Sequence, residues 1–388
     1  MRLPVIGATA TSGSARFVRG SLRAKKSTAS ARLFAREPAR EDRVVSPMFT
    51  SEALDSAAEV VHRVMAPTPQ YAWPVLGAEL GCEVWVKHEN HTPIGAFKIR
   101  GGLALLAALR HHREPATGLV SATRGNHGQS LALAGRHYGI PVTIIVPESN
   151  SVEKNAAMQG FGADLRVHGR DFDEAREYAA ELAEKQGRLY VSPFHPDLVR
   201  GVATYARELF AAVGELDAVY VPVGMGSGIC GLITVRDLLG LRTAVVGVVA
   251  RGAPAYARSF TAGHPVCTAE AATFVDGVAV RVPDPTAVQV INAGADGIVE
   301  VSDEDTATAM RLLYRTTHNV AEPAGAIALA ALTQRRNRHR GGRVAVILTG
   351  SNVDTQLFAT VLTGTHVPEV RTCLQGDGGA GSARSPRR

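Results

Sequence analysis

Lysine is scarce in this chain. Its 388 residues contain six lysines against thirty-six arginines. Amine chemistry is therefore confined to six positions, because an arginine guanidinium stays protonated and cannot act as a nucleophile. Lys25 and Lys26 lie in a basic N-terminal tail and Lys185 on a polar helical pattern, which leaves Lys87, Lys98 and Lys154. Cysteine is scarce too. Cys82, Cys230, Cys267 and Cys373 show no CxxC or Cys/His ligand spacing. That argues against a zinc site or a disulfide framework, and for a reducing compartment. No apolar run approaches the roughly 20 residues of a membrane span, so no membrane partner is expected. Aromatic residues make up 5% of the chain, and the basic tail holds only Phe17 and Phe34. No stacking surface for nucleic acid follows from that, and none is expected as a partner.

The net charge of +6 is unevenly spread. Residues 1–43 hold ten basic and three acidic side chains, which leaves the rest of the chain at −1. The basic pI belongs to the tail and says nothing of nucleic-acid binding by the body. The tail is rich in Arg, Ser and Ala, and its first acid is Glu37. That composition resembles a mitochondrial import segment. The arginine bias also runs through the body, however, so the preferred reading is a disordered, over-extended start (1–45) on a cytoplasmic protein. The Gly/Ser/Arg-rich end, 367–388, is likewise expected to be disordered.

From Ser51 onward, short apolar strands alternate with longer amphipathic helices. Strands are expected at 83–87, 118–121, 142–146, 165–167, 189–192, 218–223, 244–250 and 343–348. Helices are expected near 98–112, 127–139, 151–161, 171–187, 199–213, 229–240, 303–317 and 324–338. Strands separated by single helices imply an α/β fold, with parallel sheets covered on both faces. Residues 263–298, with Pro265, Pro283 and Pro285, read as a looser crossing.

Three segments carry chemistry. In Gly95-Ala96-Phe97-Lys98-Ile99-Arg100-Gly101-Gly102, Lys98 is framed by glycines and an aromatic neighbour at the start of an apolar helical run. A lysine so placed can lose its charge by desolvation and become a nucleophile; the alternative is an ordinary helix-start residue with its head in water. The second segment is Thr123-Arg124-Gly125-Asn126-His127-Gly128-Gln129, a polar strand-to-helix turn. Its free N–H groups suit a carboxylate. Asn126 reads either as a helix cap or as a donor to a cofactor oxygen, and His127 as a packing residue rather than a base. The third is Gly224-Met225-Gly226-Ser227-Gly228, between an apolar strand and a helix. Read by itself, it is either an anion cradle of the nest type, built from small residues, a helix N-terminus and a hydroxyl, or a plain tight turn. It is neither a Walker loop, since no Lys-Ser/Thr follows, nor a dinucleotide fingerprint, since the glycines are too close together. Near the C-terminus, Thr349 ends a strand and can point at a ring nitrogen. Glu322 precedes a helix, where its negative charge is favourable.

Taken together, these segments resemble the fold-type II pyridoxal-phosphate enzymes, in particular the serine/threonine dehydratase group. The likeness spans residues 50–365. It implies a tryptophan synthase β-like fold of two open, twisted, mostly parallel sheets, with a large domain (46–117 and 193–366) and a small one (118–192). It implies pyridoxal 5'-phosphate as cofactor, with Lys98 in the family's Ser-Phe-Lys-x-Arg-Gly motif as its lysine anchor and Phe97 beside the ring. Asn126 would bond the ring oxygen, Gly224, Met225, Gly226, Ser227 and Gly228 would take the phosphate, and Thr349 would face the ring nitrogen. Thr123, Arg124, Gly125, Asn126 and His127 would meet the substrate. The expected reaction converts L-threonine or L-serine to a 2-oxo acid and ammonia. Lys98 removes the Cα proton, and the phosphate serves as proton donor as the β-hydroxyl leaves.

Some positions depart from the family pattern. Arg124 stands where racemase-like members carry Ser and diaminopropionate lyase-like members Asp, so racemisation and D-substrates are not expected. Arg124 either binds an anionic side chain, as in 3-hydroxyaspartate, or faces solvent. Arg251 stands where several relatives carry a metal-ligating Glu, so no metal is expected there. A C-terminal regulatory domain is not expected. Elimination from hydroxyaspartate, a diamino acid or a hydroxyectoine-derived amino acid is the alternative. A catalytically silent amino-acid-binding relative is the alternative of another class. A homodimer is the family-based expectation.

Overall fold

The computed structural model describes residues 47–110, 117–170 and 172–364. The expected tails, 1–45 and 367–388, lie outside them. In chain order the strands are β1 (Gln70–Ala72), β2 (Glu83–His88), β3 (Leu119–Ala122), β4 (Val142–Val146), β5 (Asp164–Val167), β6 (Leu189–Tyr190), β7 (Ala218–Pro222), β8 (Ala244–Ala250), β9 (Gly297–Val301) and β10 (Arg343–Leu348). The helices that open the chain are α1 (Ser51–His62), α2 (Pro74–Leu80), α3 (Lys98–Arg110), α4 (Asn126–Tyr138), α5 (Val152–Gly160) and α6 (Phe172–Lys185). They are followed by α7 (Pro196–Val202), α8 (Thr204–Val213), α9 (Ser227–Leu238), α10 (Ala255–Ala262), α11 (Pro285–Gly294), α12 (Asp303–Thr317), α13 (Pro323–Arg335) and α14 (Thr355–Thr363).

The strands form two sheets. One has six strands in the order β1-β2-β10-β7-β8-β9, the other four in the order β5-β4-β3-β6. All neighbours are parallel except β1, which runs antiparallel to β2. This is the α/β architecture expected from the sequence. β4 reads Val-Thr-Ile-Ile-Val and is buried throughout, as a strand covered on both faces must be. Alternate residues of β3 and β4 feed two cores. Leu119, Val142 and Ile144 pack with α3 and α4, and Val120, Ala122 and Ile145 with α6. The larger sheet is covered in the same way, by α13 on one face and α8, α9 and α11 on the other.

Two expectations need correction, and one strand was not foreseen. The looser crossing 263–298 contains α11 and the start of β9. Pro285 occupies the first turn of α11, and the Asp284 carboxylate accepts from Thr286 N and Ala287 N. The prolines there mark a helix start rather than a loop. β1 is only three residues long and mostly exposed, too short for a two-residue alternation to stand out. The helix expected over 199–213 is two helices divided at Ala203. The first of them, α7, crosses α3 at glycines. A Cβ on Gly201 would lie 2.3 Å from the Arg100 carbonyl oxygen, and one on Gly101 2.9 Å from that of Leu198. This close crossing seats the helix that begins with Lys98.

Candidate active site

Lys98 opens α3, and the segment before it is strung along the end of β10. Phe97 N donates to Thr349 O at 3.0 Å, and Ser351 N to Gly95 O at 2.9 Å. Ala96 and Gly350 form an isolated antiparallel bridge. Gly95 has φ +67, and a Cβ there would meet the Asn352 side chain at 2.9 Å, so this turn demands glycine. On the other side, Ser130 Oγ of α4 donates to Lys98 O at 2.6 Å. Two helices and a strand end thus hold the lysine backbone.

Lys98 is half-buried, and Nζ donates to Ser227 Oγ at 3.2 Å and lies 5.1 Å from the centre of the Phe97 ring. Burial pulls its ammonium down to about 8. The other two lysines singled out from the sequence behave differently. Lys87 Nζ donates to Glu208 Oε2 at 2.6 Å inside a buried charge cluster. Lys154 pairs with Asp276; burial alone would lower its pKa, but the carboxylate overrides that and raises it. Of the three, only Lys98 has no carboxylate partner.

Ser227 is the first residue of α9 and is buried. The loop before it, Gly224 to Gly226, leaves the end of β7. Gly226 has φ +100, and a Cβ on Gly224 would lie 2.4 Å from the Gly277 carbonyl oxygen. No N–H from Gly224 to Gly228 donates to a backbone carbonyl. These donors, with the positive end of α9 and the Ser227 hydroxyl, form a cradle for an anion. Gly228 brings the cradle within 3.7 Å of the Phe97 ring, measured from where its Cβ would stand.

The second turn closes the opposite side. Thr123 Oγ1 accepts from Gly125 N at 3.1 Å, and Asn126 begins α4. Asn126 is not a cap: Gly125 holds that position, without a side-chain bond. Instead Asn126 Nδ2 donates to Glu322 Oε1 at 2.7 Å, and its Oδ1 accepts from Asn352 Nδ2 at 2.7 Å. His127 is buried with Nε2 unpartnered; burial and the nearby Lys98 charge push it down to about 3. It is neutral near pH 7. Arg124 is exposed. Thr349 is buried, and its hydroxyl donates to Ala324 O at 3.2 Å.

Glu322 departs most from its sequence reading. Rather than a solvated charge at a helix start, it is 2% exposed, and burial raises its carboxyl to about 7. An unpaired amine, an anion cradle, a hydroxyl at the sheet end and an amide meet in one place. That donor set fits a phosphorylated aldehyde with a polar ring.

The sequence profile of the pyridoxal-phosphate dependent enzyme family matches residues 61–350. The chain belongs to that family. Among members, the biosynthetic L-threonine dehydratase of Escherichia coli (strain K12) is 35% identical over 298 residues. That stretch is 76% of this chain but 58% of the longer enzyme. The L-threo-3-hydroxyaspartate ammonia-lyase of a Pseudomonas species is 32% identical over 309 residues, 79% of this chain and 97% of that one. Among solved structures, the processed form of threonine deaminase isoform 2 from Solanum lycopersicum superposes with a TM-score of 0.76. It is 29% identical, over 84% of this chain and 97% of its own.

Within this pyridoxal-phosphate dependent enzyme, Lys154, singled out from the sequence only as a candidate amine, braces the site from α5: its stem lies against Gly125, where a Cβ would meet its Cδ at 2.9 Å. Sequence reasoning overlooked Asp276, which pairs with it from a 3-10 turn 122 residues away, and Tyr256, which bonds the carbonyl of Met225. No local motif marks either of the two.

Proposed function

We propose that this enzyme is an ammonia-lyase that converts a small L-hydroxy-amino acid, L-threonine or L-serine, to a 2-oxo acid and ammonia. The observation that carries this reading is Lys98 Nζ, free of any carboxylate, held at 3.2 Å from the first hydroxyl of the anion cradle. Bound pyridoxal phosphate supplies an electron sink that acidifies the substrate Cα–H. Lys98 would hold the cofactor, and its Nζ would accept the proton from the substrate Cα. Its pKa of about 8 suits this, because a sizeable neutral fraction exists near pH 7 to 8. The N–H groups of Gly224, Met225, Gly226 and Gly228 and the Ser227 hydroxyl would take its phosphate. Phe97, Asn126 and the neutral hydroxyl of Thr349 would hold its ring. In the turn Thr123 to His127, Thr123 N and Gly125 N are taken up by Ile145 O and Thr123 Oγ1, so the N–H groups of Asn126 and His127 would orient the substrate carboxylate.

Lys98→Ala tests the reading. The variant is expected to lose the visible absorbance of lysine-bound cofactor and about 10³-fold or more in turnover. Retained activity on L-threonine would refute it. A second reading, elimination from 3-hydroxyaspartate, rests on the near full-length match to an enzyme named for that substrate. Comparing kcat/KM for the two substrates, in wild type and Arg124→Ala, separates them. A selective loss on hydroxyaspartate alone would favour the second.

The same reading divides the chain into a large lobe (46–117 and 193–366) and a small one (118–192), since the four-stranded sheet lies within residues 119–190. It takes the protein as a cytoplasmic homodimer. Among the described residues, no helix is long and apolar enough to cross a membrane.

A further inference from the structure

The anion cradle has a back side. Tyr256, on α10, is 2% exposed, and its hydroxyl donates to Met225 O at 2.9 Å. The same oxygen accepts from Asp284 N at 3.1 Å, the residue whose carboxylate caps α11. Ala287 of α11 completes the wall, 2.7 Å from where a Cβ on Gly226 would stand. The Met225–Gly226 peptide is therefore gripped by one buried phenol. A trans peptide carries its C=O and N–H on opposite sides, and no cis bond occurs among the described residues. Pinning the Met225 carbonyl toward Tyr256 turns the Gly226 N–H the other way, off the wall. That N–H has no backbone acceptor. A free peptide at a φ of +100 has other orientations open to it; the phenol removes them.

We propose that Tyr256 is a positioning residue for the phosphate cradle: its hydroxyl fixes the Met225–Gly226 peptide so that the Gly226 N–H faces the bound anion. The proposal rests on the cofactor assignment above and deepens it. It makes Tyr256 matter for the phosphate arm of the cofactor and not for its aldehyde.

The test is a pair of titrations on cofactor-stripped protein. Wild type and Tyr256→Phe are titrated with pyridoxal phosphate and with pyridoxal, which lacks the phosphate, following the absorbance of the lysine adduct. In the variant, affinity for pyridoxal phosphate is expected to fall about tenfold, as for one lost hydrogen bond, with pyridoxal affinity unchanged. Inorganic phosphate, as a competitor, is expected to weaken by the same factor. An equal loss for both aldehydes would show a general packing role and overturn the proposal, as would unchanged affinity for both. Should Tyr256→Phe fail to refold after stripping, the melting temperatures of wild type and variant, each purified with its cofactor, decide the matter. The added stabilisation by excess pyridoxal phosphate must shrink in the variant, and an equal increment overturns the proposal. If wild type forms no adduct with either aldehyde, the cofactor assignment itself falls, which is a separate outcome.

Discussion

Glu322 and Lys98 illustrate how environment sets chemistry at the scale of single residues. Burial lowers the lysine to about 8 and raises the acid to about 7, since each charged form is disfavoured away from water. For Glu322 the linkage has a definite sign. The folded state binds its proton more tightly than the unfolded chain does, whose value is 4.5. Stability from this group is full below pH 4.5 and is lost as pH rises through 7. Glu322→Gln is therefore expected to stabilise the cofactor-free protein at pH 8 by about 1–3 kcal/mol and to leave it little changed at pH 4.5. Melting curves at the two pH values check this, and an equal effect at both would contradict it. Asn126, Lys154 and Asp276 face the same carboxyl, and each is separated from it in sequence. Lys98 was legible because its neighbours are its sequence neighbours: Phe97 beside it, glycines around it, an apolar helix after it. Glu322 was not, because the groups that bury it come from elsewhere in the chain.

Elements were legible where their pattern is local and long. The buried strands β4, β8 and β10 read directly from runs of Val, Ile and Ala. Their boundaries followed from glycines and polar residues at strand ends. The division of α7 from α8 was not legible, because apolar spacing continues across Ala203 and the break depends on how α7 lies on α3. That crossing is tight at Gly201, where an added Cβ would sit 2.3 Å from a backbone oxygen. Gly201→Ala is expected to push the helices apart and destabilise by about 1–3 kcal/mol. It should weaken cofactor binding as well, since α3 carries Lys98. Chemical denaturation and cofactor titration measure the two effects, and a neutral result in both would show that the crossing yields freely.

For the whole molecule, a buried charge cluster ties the larger sheet to helices from distant parts of the chain. Arg100, fully buried, donates to Glu89 and Glu208, and Lys87 donates to Glu208 and Thr68 O. Two cations meet two carboxylates, and His62 reaches Glu208 from the surface side. Burial favours the protonated acid at Glu208, but Arg100 and Lys87 outweigh it and hold it at about 2. Glu208→Gln leaves two buried cations short of charge and is expected to cost about 3–5 kcal/mol at pH 7. The gap between wild type and variant should narrow as pH falls below 4.5 toward 2, because the stabilisation by a depressed carboxyl is lost there. A constant gap across that range would argue against it. By itself the sequence determined the alternation of the longer strands and helices and the three turns that carry Lys98, Asn126 and Ser227, since each turn lies between a strand and a helix adjacent in the chain. Only the tertiary structure decided that Asn126 meets Glu322 across 196 residues, that Tyr256 grips the cradle, and which acids stay charged. Those outcomes depend on desolvation and on partners that folding, not adjacency, brings within hydrogen-bond distance.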